Sequence, residues 1–525
     1  MLKNRNKYGI KLLWIALLVN FCSCKKFLAT EPKDFITQEN YYETEEQLNA
    51  ALTGVYSTLK NSAGYGNFML GRMGFDADEG YTSSTSLVTG PMVFRVDGTE
   101  PVVENFWFVF YSGINRADVL LQNINKPKMD EAKRSRIKGE TIFLKAYFYF
   151  LLVSRFGDVP YLEKPVASVN DTQIARTPSA QVYEKIVAAM IEAETLVPTA
   201  TQLGFGGRIN KSAVRGILAR VYLQWAGYPV KDETKYVEAR KWALKVIESG
   251  EHALNPSYQQ IFINYAQDKY DIKESIWEIE FYGDGSDPYG IYGRVGSTLG
   301  IPSDDPVKGY VAAYMRVTGW LYRLYAANDN RRNWNIAPFS YSGVPATTVN
   351  WASSRIYDRY IGKWRREYEL SPIKSTVATP QNYPLLRYSD VLLMYAEADN
   401  FINDNDGIQR HEALNKVRRR GLGLAINAPS ATDLFDLTKA QFLTEIQNER
   451  PRELCFENHR KMDLVRWGVF LPRMKSIMND FTVDNPPSRA YGILGFQNVT
   501  SRDVLWPIPT NEMTLNRLLT QNQGW

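Results

Sequence analysis

IKGETIFLKAYFYFLLVSRFGDVPYL, residues 137–162, is the stretch whose reading decides the fold. Its spacing predicts a helix over 130–155, stopped at Phe156-Gly157-Asp158 with Pro160 beyond. Outward from it the helical period dominates. Toward the N-terminus lie a helix at 103–125 and another at Glu45–Lys60, the latter opened by Thr44 as N-cap with Gln47 at the capping-box position. Toward the C-terminus, Ser179–Leu196 is helix, and Lys211–Ala226 with Lys235–Ser249 form a pair around a Gly/Pro turn. Ile276–Tyr282 alternates like a strand. Helices resume at 384–399, 409–420 and 438–482, the last interrupted near Pro451. Helix pairs separated by loops point to a mainly α, tetratricopeptide-like scaffold. Two regions break the pattern. Residues 61–100 read as a long loop rich in Gly, Ser and Thr. Residues 283–380, rich in Gly, Pro, Ser, Tyr and Trp, form a variable region between an N-terminal part (24–282) and a C-terminal helical part (381–525). Connections of that length are usually functional or disordered.

The first residues read as a processing signal. Lys3, Arg5, Lys7 and Lys11 precede an apolar run, Leu12–Val19, much shorter than the ~20 residues of a membrane-spanning helix. In Phe21-Cys22-Ser23-Cys24, the cysteine preceded by a small residue is Cys24, the expected lipidation site, with residues 1–23 as signal peptide. The whole chain has net charge +5. Residues 1–23 hold four of the basic side chains and no acidic one, so the mature chain is near neutral and nothing suggests nucleic acid as a partner. Cys455 is then the lone internal cysteine, which rules out an intramolecular disulfide and leaves stability to core burial.

No enzyme signature is present. There is no Gly-x-Ser-x-Gly elbow. His411-Glu412 opens like a zinc-protease helix, but Asn415 occupies the second ligand position. Gly204-Phe205-Gly206-Gly207 lacks the lysine of a phosphate loop. Asn403-Asp404-Asn405-Asp406-Gly407 breaks the alternate-position rule of a calcium loop. Asp76, Asp78 and Glu79 could do paired-carboxylate chemistry, but a hydrogen-bonding role toward hydroxyl groups is a better expectation, and plain solvated loop carboxylates a better one still. The segment IQNERPRELCFENHRKMDLVRWG (446–468) is the densest in charge. Glu449–Arg452, Glu457–Arg460, Arg460–Asp463 and Asp463–Arg466 each stand three apart, which predicts an amphipathic helix pair laced by ion pairs. No cofactor or metal site is expected.

Seven segments, in order, carry a resemblance. They are SCKKFLATEPKDF (23–35), NFWFVFYSGINRADVLLQNI (105–124), residues 137–162, GRINKSAVRGILARVYLQWAGYP (207–229), NYPLLRYSDVLLMYAEADN (382–400) with EALNKVRRRG (412–421), the Glu/Arg-rich run at 449–467, and LWPIPTNEMTLNRLLTQNQGW (505–525). Together they resemble the SusD/RagB family of outer-membrane nutrient-binding lipoproteins. Thr141, Lys145, Pro451, Lys461-Met462 and Gln523 depart from its usual pattern. The resemblance implies a mainly α, SusD-like fold of four tetratricopeptide-like helix pairs with a loop-rich second face. It implies a lipid anchor in the outer membrane, surface exposure, a SusC-like TonB-dependent transporter as partner, and an oligosaccharide as cargo. Some relatives bind peptides instead; a surface glycoside hydrolase is the remaining alternative.

Sugar capture requires flat aromatic platforms beside hydrogen-bonding side chains. The two irregular regions concentrate both. The first holds Tyr65, Phe68, Arg72, Asp76, Asp78 and Tyr81; the second holds Tyr282, Tyr289, Tyr292, Trp320, Tyr322, Trp334 and Trp351. These candidates rest on side-chain chemistry and are not carried over from the family. Arg72 and Asp76 stand out because their loop offers them no obvious partner.

Overall fold

The computed structural model describes residues 41–70, 76–166, 173–283, 292–402 and 408–525. The expected signal peptide, Cys24, Arg72, Tyr289 and the calcium-like run 403–407 lie outside them. Eight helices make four pairs. They are α1 (Glu45–Lys60) with α2 (Pro101–Asn123), α3 (Glu131–Phe156) with α4 (Ser179–Leu196), α5 (Lys211–Ala226) with α6 (Tyr236–Ile247), and, after a shorter α7 (Tyr258–Ala266), α8 (Tyr388–Ile402) with α9 (Ile408–Gly421). Each pair packs on the next through α2–α3, α4–α5 and α6–α8. Then come α10 (Lys439–Leu454), α11 (Arg460–Arg466) and α12 (Phe470–Asp484).

Local chemistry sets the helix ends. At α1 the Thr44 hydroxyl accepts from the Gln47 N–H and the Gln47 side chain accepts from the Thr44 N–H, both at 3.2 Å, the capping box expected from the sequence. At α3 the Asp130 carboxylate caps Lys133 N–H, and the helix ends at Gly157, whose φ of +71° places it in the region that favours glycine. Between those ends α3 is buried almost all round from Gly139 to Phe156. A helix apolar on every side must be covered on every side, and α3 packs against α1, α2, α4 and α5. Gly113 permits a close approach, since a Cβ there would lie 2.6 Å from Thr58 and 2.9 Å from Phe148.

Three small antiparallel pairings organise the other face: β1 (Gly80–Thr82) with β3 (Met315–Val317), β2 (Ser275–Ile279) with β6 (Tyr383–Arg387), and the hairpin β4 (Phe339–Ser342) with β5 (Thr347–Asn350). Residues 384–387, expected to begin a helix, are instead in β6 and buried; α8 starts at Tyr388. The break expected near Pro451 also moves. Helix α10 runs through Pro451 and ends at Cys455, where Phe456 and Asn458 take positive φ values of 63° and 61°.

That turn changes the meaning of the charged segment. It is core, not an amphipathic surface. Glu449, Glu453 and Glu457 are almost completely buried, as are Arg331, Arg387 and Arg420. Glu453 accepts from Arg387 and Arg420 at 2.7 Å and from Arg331 at 3.2 Å. Arg387 also reaches Glu274 at 3.0 Å and both oxygens of Glu457, the latter shared with Lys363 at 2.7 Å. Across the turn, Arg450 of α10 joins Asp390 and Asp463 at 2.7 Å each, and Arg466 joins Asp463 and Glu397. Of the four pairings three apart, Glu449–Arg452 and Asp463–Arg466 form. Glu457 and Arg460 lie on either side of the left-handed Asn458 and turn apart, Glu457 to Arg387 and Arg460 to Asp78, while Asp463 on the same helix as Arg460 pairs with Arg450 instead. Burial alone would push the Glu453 carboxyl up; the three guanidinium groups together hold it well below the usual carboxylate range.

Candidate ligand-binding face

The two irregular regions meet. In the β1–β3 ladder Tyr81 faces Arg316 and Thr82 faces Met315. Thr318 extends the junction: its hydroxyl donates to the Asp78 carbonyl at 2.8 Å and its N–H to the Glu79 carbonyl at 3.2 Å. The same hydroxyl caps the short helix Gly319–Leu324, which carries Trp320 and Tyr322.

Trp320 is half-buried, with the Arg473 and Arg460 guanidinium groups 4.7 and 5.1 Å from its ring centre. Both distances are within the ~6 Å range of cation–π attraction. Arg460 is fixed in turn by Asp78, whose two carboxylate oxygens accept from it at 2.7 and 2.8 Å. Beside this group, Arg359 and Arg332 lie 4.9 and 5.3 Å from the Tyr322 ring centre. Arg316 donates to the hydroxyls of Tyr491 at 3.0 Å and Tyr360 at 3.1 Å. Trp351 is half-buried under Arg355 at 5.2 Å. The face thus combines aromatic surfaces with guanidinium donors. Such a mixture suits ligands with an apolar face and a rim of oxygen atoms.

The residues chosen from the sequence divide. Trp320 and Tyr322 fall on this face. Asp76, Asp78 and Glu79 do not remain solvated loop carboxylates; all three are buried. The expectation that Asp76 lacks a partner is corrected: Lys461 donates to it at 2.6 Å. Burial raises the Asp76 carboxyl, and Lys461 pulls against that rise. Tyr65 is buried, its hydroxyl 2.6 Å from that of Tyr147. Tyr81 is buried too, and its hydroxyl bonds the Tyr357 carbonyl and the Ser488 hydroxyl. Burial raises both phenols above their ordinary range. Trp334 is buried beneath Arg365, and Phe68 packs partly buried on the core. Asp76, Asp78 and Tyr81 share a physical reason: their partners lie hundreds of residues away in the chain, so a loop that reads as open is closed by distant segments. Tyr282 is 67% exposed, and Tyr292 is half-buried beside Arg294. Both belong to the segment after β2. Among the described residues no hydrogen bond, ion pair or ring contact joins either to Trp320. Sequence reasoning missed Arg316, Arg332, Arg359, Tyr360 and Tyr491, which carry no local motif. It had noticed Arg460, but as an ion-pair member of an amphipathic helix pair.

Comparison with known proteins fits this architecture. Residues 26–223 match the family model described as "Starch-binding associating with outer membrane", and residues 339–525 match that of the "SusD family". The chain belongs to the SusD/RagB family. A SusD-like protein of Formosa agariphila is 24% identical, with 98% of each chain covered. The crystal structure of a SusD homolog from Bacteroides thetaiotaomicron has a TM-score of 0.86 at 28% identity, covering 93% of this chain and 98% of that one. Surface glycan-binding protein A from the same species, in complex with laminarihexaose, shares the fold with a TM-score of 0.69 at 22% identity, covering 91% and 99%.

Proposed function

We propose that this protein is a non-enzymatic, cell-surface glycan-binding lipoprotein, anchored through Cys24, that captures oligosaccharides and delivers them to a SusC-like TonB-dependent outer-membrane transporter. The observation that carries the reading is the face built around Trp320 and Tyr322. Two aromatic rings stand there among guanidinium donors, and the buried Asp78 carboxylate holds Arg460 at Trp320 in place. Aromatic surface supplies contact with the C–H faces of pyranose rings, and fixed donors supply orientation. Relatives whose names describe starch or glycan binding support the same ligand class. The lipid anchor and the transporter rest on the leader sequence and the family, and Cys24 lies outside the described residues.

The test is calorimetric titration of the protein from residue 25 onward with a glycan panel and, separately, a peptide mixture, with chromatography of the products. Heats with glycans and intact sugars afterwards are expected. Heats with peptides alone would transfer the protein to the peptide-binding members of the fold. Cleaved sugars would make it a surface hydrolase. Co-purification of a large outer-membrane barrel with the full-length, lipidated protein tests the delivery step.

A further inference from the structure

Several buried arginines in this fold are closed by carboxylates: Arg331 by Asp329 and Glu449, Arg387 by Glu453 and Glu457, Arg460 by Asp78. Two arginines beside Tyr322 are not. Arg359 is only 4% exposed, yet its one hydrogen bond runs to the Ala352 carbonyl at 3.4 Å, and its Nε is buried without an acceptor. Arg332 donates to the Ala327 carbonyl at 3.2 Å, and its Nε is likewise buried without an acceptor. Among the described residues neither has a carboxylate within 4.0 Å. Both approach the Tyr322 ring. Burial depresses the Arg359 guanidinium, with Arg332 adding to the effect and Tyr322 opposing it, so the two cations sense each other. Next to Ala352, the Trp351 indole N–H is a third buried donor without an acceptor.

A buried guanidinium with no counter-charge is costly, and a second cation beside it adds repulsion. Planar guanidinium forks match oxyanions that accept two hydrogen bonds, and such charge-assisted bonds are about twice as strong as neutral ones. We propose that Arg332, Arg359 and Tyr322 form a subsite for an anionic substituent of the captured glycan, a carboxylate or a sulfate ester. The proposal rests on the glycan-binding reading and adds the charge class of the cargo.

The test is calorimetry at low and at raised NaCl with three probes: an oligogalacturonate, a sulfated galactan oligosaccharide and neutral laminarihexaose. The wild type is expected to bind at least one acidic probe more tightly than the neutral one, less so at raised salt. The acidic probe that binds tells carboxylate from sulfate. Arg332→Gln and Arg359→Gln should each weaken that binding about tenfold or more, since a hydrogen bond to a charged group is worth ~1.5–3 kcal/mol, and should weaken any neutral binding by a smaller factor. Thermal melts check that both variants fold; if Arg359→Gln does not, the half-buried Arg332→Gln decides. Binding of laminarihexaose with no acidic binding, or acidic binding that both variants retain, overturns the proposal and leaves glycan capture intact. No heat with any saccharide overturns both.

Discussion

Asp78 grips Arg460 through both carboxylate oxygens, at 2.7 and 2.8 Å, and Arg460 lies 5.1 Å from the ring centre of Trp320. A carboxylate from the first irregular region therefore positions an aromatic residue of the second, through a cation from the C-terminal helices. Asp78, buried on Arg460, acts on Trp320 through that cation. Replacing it with Asn leaves the buried Arg460 charge uncompensated, a change that typically costs about 3–5 kcal/mol. Asp78→Asn should lower stability by that order in urea titration. A shift under about 0.5 kcal/mol would contradict the clamp.

Glu453 is the hub of the larger network, shared by Arg387, Arg420 and Arg331. Removing its charge takes one carboxylate partner from each of three buried guanidinium groups at once, so Glu453→Gln should destabilise at least as strongly as Asp78→Asn. The exposed pair Lys138–Glu192 provides the contrast, with its side chains 43% and 50% exposed. Surface pairs contribute about 0–1 kcal/mol, so Lys138→Gln should be nearly silent. Equal effects of the two substitutions in denaturant unfolding would refute the distinction.

Stability should peak in mildly acidic to neutral solution. Burial pushes the Glu79 carboxyl up from 4.5 to about 8, opposed by the Phe456 N–H and Arg460. Burial likewise pushes Glu278 up to about 7, opposed by Ser275 and Asn382. Both folded values lie above the unfolded ones, so the folded state holds protons that the unfolded chain has released. That contribution is full below about pH 4.5 and is lost as pH rises through 7 and 8. Glu449, Glu457 and Asp463 have the opposite sign. Burial works against them, but neighbouring cations hold them low, so their contribution is present above the usual carboxylate range and is lost as pH falls. In Glu79→Gln, whose amide resembles the neutral acid, the alkaline decline of Tm should flatten. An unchanged alkaline limb would show that Glu79 is not its source.

Cys455 is fully buried, 3.4 Å from the Tyr325 hydroxyl, and burial pushes its thiol up to about 12. Since the thiolate is the reactive form, a chain beginning at residue 25 should resist iodoacetamide until it is unfolded. Rapid labelling of the native protein would place Cys455 at the surface.

The helical scaffold was legible because it depends on local signals: the Thr44–Gln47 capping box, the stop at Gly157, and the bounds of Ser179–Leu196 and Lys211–Ala226 all stand as read from spacing alone. The face was half legible. Trp320 and Tyr322 could be chosen for their chemistry in an irregular region. Asp76, Asp78, Tyr65 and Tyr81 could not be told apart from surface residues, since their burial depends on Lys461, Arg460, Tyr147 and Ser488, remote in the chain. The charged run 446–468 misled for a related reason. Spacing three apart predicts neighbours on one helix, and the positive φ values at Phe456 and Asn458 break that helix.

The most direct test of glycan capture on this face is a crystal structure of the protein grown with an oligosaccharide that gives calorimetric heat. A sugar ring resting on Trp320 or Tyr322, with hydroxyl or acidic oxygens within hydrogen-bond distance of Arg332, Arg359 or Arg316, is the predicted result. A saccharide bound along the helix pairs α1–α6, with the Trp320 and Tyr322 surface empty, would contradict it.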